Sequence, residues 1–404
     1  MREDLDTARR LLAAARREGA DAADAIIISS SSVSITVSGG ALEEAGRSEG
    51  RDAGLRVLVG QRQACVSSSD LRDEVLDELA ARAVAIARAA PEDPYAGLAG
   101  PGEVTRDAKA EELELVDSEP APTPEMLEEW ALAAEAAALG IDGITQVPSA
   151  SASWSEGRVT LLATNGFAGA YSRTDTGIGL SAMAGEGLAR ERDHAAESRR
   201  HRADLPSPEW IGERAGRRAV ERLGPRRPPG GKVPVLYDER VAASLIGNLL
   251  AAANGASVAR GSSWLLERMG EEVLPAGIDV LEDPLIRRGP LSRPFDAEGI
   301  ESRAQPVVQD GRLCRWILDL ASARKLGLET TGNARRGTGA PPSPGTSNMR
   351  MTEGTQSRDQ LIAEMGTGLI VTSMIGASVN PTTGAYSRGA AGFWVEGGEI
   401  AYPV

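Results

Sequence analysis

Histidine is the scarcest of the side chains that commonly do chemistry, since only His194 and His201 occur in 404 residues. A histidine-based catalytic or metal site must use one or both of them. On one helix their spacing of seven would place them on the same face but about 10 Å apart along the axis, too far to share one ion. We interpret both as solvated side chains in the arginine-rich stretch 189–205, and they predict no zinc site.

The arginines of that stretch are a candidate anion site, because guanidinium groups bind carboxylates and phosphates through paired hydrogen bonds. They are Arg190, Arg192, Arg199, Arg200 and Arg202, and the acids between them are Glu191, Asp193, Glu197 and Asp204. Since the acids nearly neutralise the arginines, we favour a surface ion-pair network.

Other familiar catalytic motifs are not found. The glycine-rich stretch 224–233 lacks the glycine spacing of a phosphate-binding loop, which disfavours nucleoside triphosphate binding. Neither serine run, at 29–32 and 67–69, forms the G-x-S-x-G turn of a serine hydrolase.

Composition excludes several classes of protein. The formal net charge of -14 repels phosphate backbones, and aromatic residues, at 3%, are too few to stack bases. Cys65 and Cys314 are too few for a disulfide framework, which favours a reducing compartment. No apolar run reaches the roughly 20 residues of a membrane helix. We therefore expect a cytoplasmic protein that binds neither nucleic acid nor membranes.

Any site must be positioned by the helices and strands of the chain. Their expected order predicts an α+β fold, with two N-terminal α/β units followed by a β-rich C-terminal domain. We place the units at residues 1–115, 116–226 and 227–404, because Pro and Gly cluster at 91–124 and 225–231. The first unit is predicted to be a helix, a strand at 33–37, two strands around Gly60 and a helix from Leu71, capped by Ser69 or Asp70.

The second and third units have clear helix boundaries. A helix over Pro124–Leu139 has Thr123 as its cap, and another is predicted over Pro208–Leu223, with a β-meander between them that turns at 165–166. The third unit is predicted to begin with a strand and a helix over Asp238–Ala253.

Long motifs in the last two-fifths of the chain resemble the TldD/PmbA family, and within it the PmbA (TldE) branch. They are DPLIRRGPLSRPFDAEG at 283–299, LDLASARKLGLETTGNARR at 318–336, PPSPGTSNM at 341–349 and TTGAYSRGAAGFWVEGGEIAYPV at 382–404. A weaker resemblance extends over nearly all of the chain. The family pattern continues beyond the equivalent of Val404, so we expect either a shortened chain or a further tail.

The resemblance implies a two-subunit intracellular metalloprotease in which the TldD-type subunit carries a zinc-binding H-E-x-x-x-H helix. In that branch the motif precedes Gly-Ser-Ser, and counting back from Gly261 places its histidines near Ile246 and Ala251 and its glutamate near Gly247. No histidine follows His201. We therefore expect no catalytic residue, metal ligand or cofactor in this chain, zinc in the partner subunit, and a helix 238–253 that belongs to the core.

The function that the resemblance implies is that of a non-catalytic subunit in a TldD/TldE-type heterodimer acting on unfolded peptides. The two subunits would close around a cavity, and peptides would be held along a strand edge. The candidate wall of that cavity consists of Tyr386, Ser387, Arg388, Phe393 and Trp394. The alternative is that the aromatic rings of this segment fill the core.

Two alternatives remain open. One is a homodimeric regulatory or binding protein without proteolytic activity, of the gyrase-modulator type. The other is a self-sufficient hydrolase that uses serine or carboxylates.

Overall fold

The first half of the chain forms one six-stranded antiparallel sheet, seen in a computed structural model that describes residues 2–106, 108–376 and 379–404. Its elements are α1 (Arg2–Arg17), β1 (Ala22–Ser38), β2 (Ala41–Val59), β3 (Arg62–Ser68), α2 (Asp73–Ala89), α3 (Pro124–Leu139), β4 (Ile144–Ala163), β5 (Ala168–Ala184), β6 (Glu191–Arg199) and α4 (Pro208–Glu221). The strand order is β3-β2-β1-β4-β5-β6. Since β1 pairs with β2 on one side and with β4 on the other, the two N-terminal units share this sheet.

The helices of this half all pack on the same face of the sheet. Ala25 and Ile27 of β1 join the core beneath α1 and α2, and Ile35 and Val37 join the core beneath α3 and α4. These four residues are separated from one another by even numbers of positions, so their side chains point to the same side of the strand. The opposite face, which carries Ile26, is left for the rest of the chain.

The second half contains short strands and helices. They are β7 (Val235–Tyr237), α5 (Glu239–Ala252), α6 (Gly255–Ala259), β8 (Val280–Glu282), β9 (Gln305–Gln309), β10 (Arg312–Leu313), α7 (Leu320–Leu326), β11 (Ala334–Arg335), β12 (Ser343–Pro344), β13 (Met349–Met351), α8 (Arg358–Met365), β14 (Gly368–Ile375), β15 (Gly389–Glu396) and β16 (Glu399–Pro403). They form sheets of order β10-β9-β8-β13 and β16-β15-β14-β7 and the hairpin β11-β12. The predicted α+β class is confirmed.

The second half packs against the helix-free face of the large sheet. Phe295 lies between Phe167 and Tyr171 in edge-to-face contacts at 5.0 and 5.4 Å between ring centroids, over Ile26 and Leu161. Aromatic burial of this kind is a large contribution to an interface.

A buried ion-pair network crosses the same interface. Asp24 of β1 accepts hydrogen bonds from Nε of Arg56 in β2, at 2.7 Å, and from Nη1 of Arg336 in the second half. Nη2 of Arg56 also lies in ion-pair contact with the carboxylate, at 2.6 Å. Burial would raise the pKa of Asp24, but Arg336 and Arg56 together hold that pKa below its ordinary value. The carboxylate is therefore ionised and paired on both sides of the interface.

Helix boundaries show where local sequence rules hold. The Oγ1 atom of Thr123 accepts a hydrogen bond from Met126 N at 3.3 Å, as predicted for the start of α3. The predicted cap of α2 is wrong, since Arg72 occupies that position and Asp70 instead binds the Arg72 side chain. None of the helices in the described part of the chain combines the length and the apolar character needed to cross a membrane.

Candidate functional site

Helix α5 carries Ile246, Gly247 and Ala251, the positions predicted from the sequence to lie near the family's zinc motif. It begins after Asp238, whose side chain accepts a hydrogen bond from Arg240 N at 3.2 Å. Gly247 and Ala251 are exposed, whereas Ile246 is half-buried against the neighbouring core. A Cβ atom at Gly247 would meet nothing within 4 Å, so the backbone there is open to its surroundings.

The side chains at Ile246, Gly247 and Ala251 do not fit a zinc ion, because aliphatic carbon and hydrogen supply no ligand atom. Among residues 2–106, 108–376 and 379–404, no group of three or more His, Cys, Asp or Glu side chains is arranged to hold a metal. The prediction that α5 is a core helix is only partly correct, since its fully buried residues, Leu249, Leu250 and Ala252, all lie in its last turns.

The two histidines have different environments. His194 lies on β6 with its side chain 73% exposed, as predicted. His201 is buried, and its Nε2 atom lies 2.8 Å from the Glu114 carbonyl oxygen while Nδ1 lies 3.7 Å from Asp117. The interpretation of both as solvated is therefore wrong for His201, which links β6 to the segment that precedes α3.

The candidate cavity wall is divided between surface and core. Tyr386, Ser387 and Arg388 are exposed in the connection between β14 and β15, whereas Phe393 and Trp394 are buried in β15. The ring of Phe393 packs with the core around α8, in line with the alternative in which the aromatic rings fill the core. Whether the segment lines a peptide cavity stays a prediction.

Tyr386 brings the exposed part of this segment close to α5. Its hydroxyl donates to Met374 Sδ at 3.2 Å and lies near the side chain of Tyr237, which immediately precedes the α5 cap. Burial, with a smaller contribution from Tyr386, raises the pKa of Tyr237 above its ordinary value, so this phenol stays protonated at neutral pH.

A cleft of about 570 Å³ lies at the start of α5, between α4, β7 and α8. Leu236, Tyr237 and Phe393 supply its apolar lining, and arginines of α4, α5 and α8 supply its charge. We call it the α5 cleft. It was not predicted from the sequence, because its walls come from elements far apart along the chain.

The arginines of the α5 cleft are matched by acids. Arg240 pairs with Asp193 at 3.1 Å and with Asp238 at 2.9 Å, while Arg214 and Arg218 both pair with Glu239. Burial would raise the pKa of Asp238, but hydrogen bonds from Arg240 lower it below its ordinary value. Since Arg214, Arg218 and Arg240 are paired with acids, the cleft combines paired charges with a partly aromatic surface.

A buried carboxyl pair lies at the interface with the large sheet and was also missed. Asp296 accepts hydrogen bonds from the backbone nitrogens of Glu298, Ile300 and Ala334, and Glu298 accepts one from Leu320 N at 2.9 Å. Burial raises the pKa of Glu298 well above its ordinary value, and the Asp296 charge raises it further. We therefore assign the proton of the pair to Glu298. Because both carboxyls hold backbone groups, their role is to fix the loop.

Comparison with known proteins identifies relatives along the whole chain. Three family models match: PmbA/TldA metallopeptidase domain 1 at residues 23–87, the central domain at 117–223 and the C-terminal domain at 230–404. A protein of Escherichia coli O157:H7 named Metalloprotease PmbA is 35% identical over 393 residues, which are 97% of this chain and 84% of that protein.

Solved structures have the same fold. A Bacteroides thetaiotaomicron protein described as a modulator of a DNA gyrase superposes with a TM-score of 0.92 at 26% identity, over 100% of this chain and 90% of that one. TldE from Thermococcus kodakarensis superposes with a TM-score of 0.84 at 22% identity, over 98% of this chain and 89% of that one.

Proposed function

Because this chain belongs to the PmbA/TldD family of metallopeptidases, in its PmbA (TldE) branch, we propose that it is the zinc-free subunit of a heterodimeric metalloprotease. The observation that carries the proposal is the chemistry of α5, where Ile246, Gly247 and Ala251 occupy the positions near the family's zinc motif. A TldD-type partner would then supply the metal and the glutamate that activates water. The substrates are unfolded peptides that the pair degrades or processes.

Peptide binding is the part of this function for which the chain has suitable surfaces. Strand β7 is an edge of its sheet, and its residues Leu236 and Tyr237 line the α5 cleft. An extended peptide could add to such an edge through main-chain hydrogen bonds, which tolerate any sequence. The exposed Tyr386, Ser387 and Arg388 would lie beside it, since Tyr386 lies near the side chain of Tyr237.

We also propose that the complex acts in the cytoplasm. Cys65 and Cys314 are both free thiols, which suits a reducing compartment.

A homodimeric regulatory role is the second candidate. It is favoured by the description of the Bacteroides relative as a modulator of a DNA gyrase, together with the lack of metal ligands on α5. In this case the chain would act by binding, with no peptide hydrolysis.

Reconstitution with a TldD-type subunit tests the proposal. We expect no stoichiometric zinc in the dialysed chain alone, and cleavage of an unfolded peptide only in the mixture, because this chain has no group to activate water. Arg388→Ala should slow turnover by the mixture, with His194→Ala as the matched exposed control that leaves it unchanged.

Several outcomes would count against the proposal. Full activity of the TldD-type subunit alone would remove the role of this chain, and a stable self-dimer indifferent to that subunit would favour the regulatory role. One tightly held zinc per isolated chain, lost on changing a specific residue, would sink the zinc-free assignment.

A further inference from the structure

A second cavity, of about 310 Å³, lies between the large sheet and the second half of the chain. Its floor is formed by Ile26, Ile28, Val159, Leu161 and Tyr171, which are neighbours across β1, β4 and β5 on the helix-free face. Its roof is formed by segments 291–297 and 334–336. We call it the interface pocket. At the small end of ligand cavities, it has room for a compound of about one or two amino-acid residues.

Arginines concentrate at one side of the interface pocket. Arg173 extends from β5 at the exposed rim, Arg335 is half-buried, and Arg293 is 7% exposed. All three side chains line the same cavity of about 310 Å³. Burial lowers the pKa of Arg335 below its ordinary value, and the charges of Arg293 and Arg173 lower it further.

These arginines lack the acids that neutralise the α5 cleft. In the described part of the chain, no carboxylate lies within 4 Å of the guanidinium nitrogens of Arg173, Arg293 or Arg335, and Glu282, whose charge reaches Arg335, is paired with Arg315. Arg293 donates from Nη1 to the Ala334 carbonyl oxygen at 3.1 Å, but its Nε atom is buried without a hydrogen-bond partner. Asp296 also lines the pocket, and its charge is attracted to that of Arg293, but its oxygens accept hydrogen bonds from backbone N–H groups. Arg336 is occupied by Asp24.

Such a cluster is costly unless an anion completes it, because like charges repel and a buried donor without a partner loses its hydration. A carboxylate suits it, since guanidinium groups bind carboxylates through paired hydrogen bonds. Because the floor beside the arginines is apolar, the molecule that carries the carboxylate should also have an apolar part that packs on it. In a chain of net charge -14, a local excess of positive charge also marks this place as distinct from the general surface.

We propose that the interface pocket binds a small carboxylic acid with an apolar body, held by Arg173, Arg293 and Arg335 over the floor of β1, β4 and β5. The carboxylate would come from the last residue of a peptide or from a free acylated amino acid. The site is independent of the zinc-bearing partner, because all of its residues belong to this chain.

Isothermal titration of the full chain with N-acetyl-leucine and with its uncharged amide tests the proposal. We expect one acid molecule to bind per chain. The amide should bind at least about tenfold more weakly, because the charge-assisted hydrogen bonds are lost. Inorganic phosphate should bind more weakly than the acid, since it has no apolar body. A leucine-terminated hexapeptide that binds more tightly than the free acid identifies a peptide terminus as the source, and equal binding identifies the free acid.

Variants assign the binding to these side chains. Arg335→Gln and Arg173→Gln should each weaken binding of the acid by about tenfold, whereas the exposed Arg303→Gln should not change it. If Arg335→Gln fails to fold, Arg173→Gln carries the test, because Arg173 is exposed. Equal affinity for acid and amide, full affinity in both pocket variants, or phosphate binding as tight as that of the acid would overturn the proposal.

Discussion

Replacing Asp24 with Asn should destabilise the protein strongly, because Asp24 is the common partner of two buried arginines. Its side chain is 3% exposed, and those of Arg56 and Arg336 are 4% and 0% exposed. Removing one member of a buried ion pair typically costs about 3–5 kcal/mol, since the remaining charge keeps its desolvation penalty. Here two guanidinium groups lose their counter-charge, so we expect at least the lower end of that range. Of a typical free energy of unfolding of about 5–15 kcal/mol, this is a large fraction.

Urea unfolding followed by circular dichroism measures the loss. Asp52→Asn is the matched control, because Asp52 is an exposed residue of β2 and its replacement should change stability by less than about 0.5 kcal/mol. Arg336→Gln should cost less than Asp24→Asn, since Asp24 keeps Arg56. A loss below about 1 kcal/mol for Asp24→Asn at neutral pH would refute the view that this network holds the interface.

The pH dependence of the same variant gives a second test. The pKa of Asp24 is lowered in the folded protein from an ordinary value of 3.8, so its stabilising contribution is complete above that value and is lost as the pH falls through the lowered pKa. The difference in stability between the wild type and Asp24→Asn should therefore be constant at neutral and mildly acidic pH and should shrink only below 3.8. A difference that shrinks already between about pH 7 and pH 5 would contradict the assignment.

Three further predictions concern the carboxyl pair, the candidate wall and His201. The pKa of Glu298 is raised in the folded protein, so its stabilising contribution is complete below the ordinary value of 4.5 and is lost as the pH rises through the raised value. In urea unfolding, Glu298→Gln should therefore gain stability relative to the wild type as the pH rises above 4.5. Phe393→Ala should cost about 3–5 kcal/mol by the same assay, and Arg388→Ala less than about 0.5 kcal/mol; the reverse order would put Phe393 on the surface. His201→Ala should cost about 1–3 kcal/mol, because the Glu114 carbonyl loses its partner, whereas His194→Ala should leave the unfolding midpoint unchanged.

Local rules predicted the helices well. Thr123 with Pro124, and Ser207 with Pro208, begin α3 and α4 because a side-chain oxygen that accepts a backbone N–H and a proline at the first turn act within a few residues. The same locality explains why the cap of α2 was wrong, since Asp70 has a competing partner in Arg72.

Features formed by residues far apart along the chain could not be predicted from the sequence. The pairing of β1 with β4, the partnership of Asp24 with Arg336 and the two clefts all join residues whose separation no periodicity reveals. Within the candidate wall, the sequence pattern located the segment but did not separate the exposed Arg388 from the buried Phe393. Residue type alone does not decide which side chains of such a segment are buried.

The Asp24 network also sets an order of events during synthesis on the ribosome. Asp24 and Arg336 are 312 residues apart, so the first strand emerges long before its second partner exists. At about 5–20 residues per second, translation of the intervening chain takes roughly 15–60 seconds. Throughout that interval the helix-free face of the growing sheet keeps its apolar residues and a half-paired carboxylate in contact with water. The nascent N-terminal half therefore exposes an aggregation-prone surface until the C-terminal half is released and covers it.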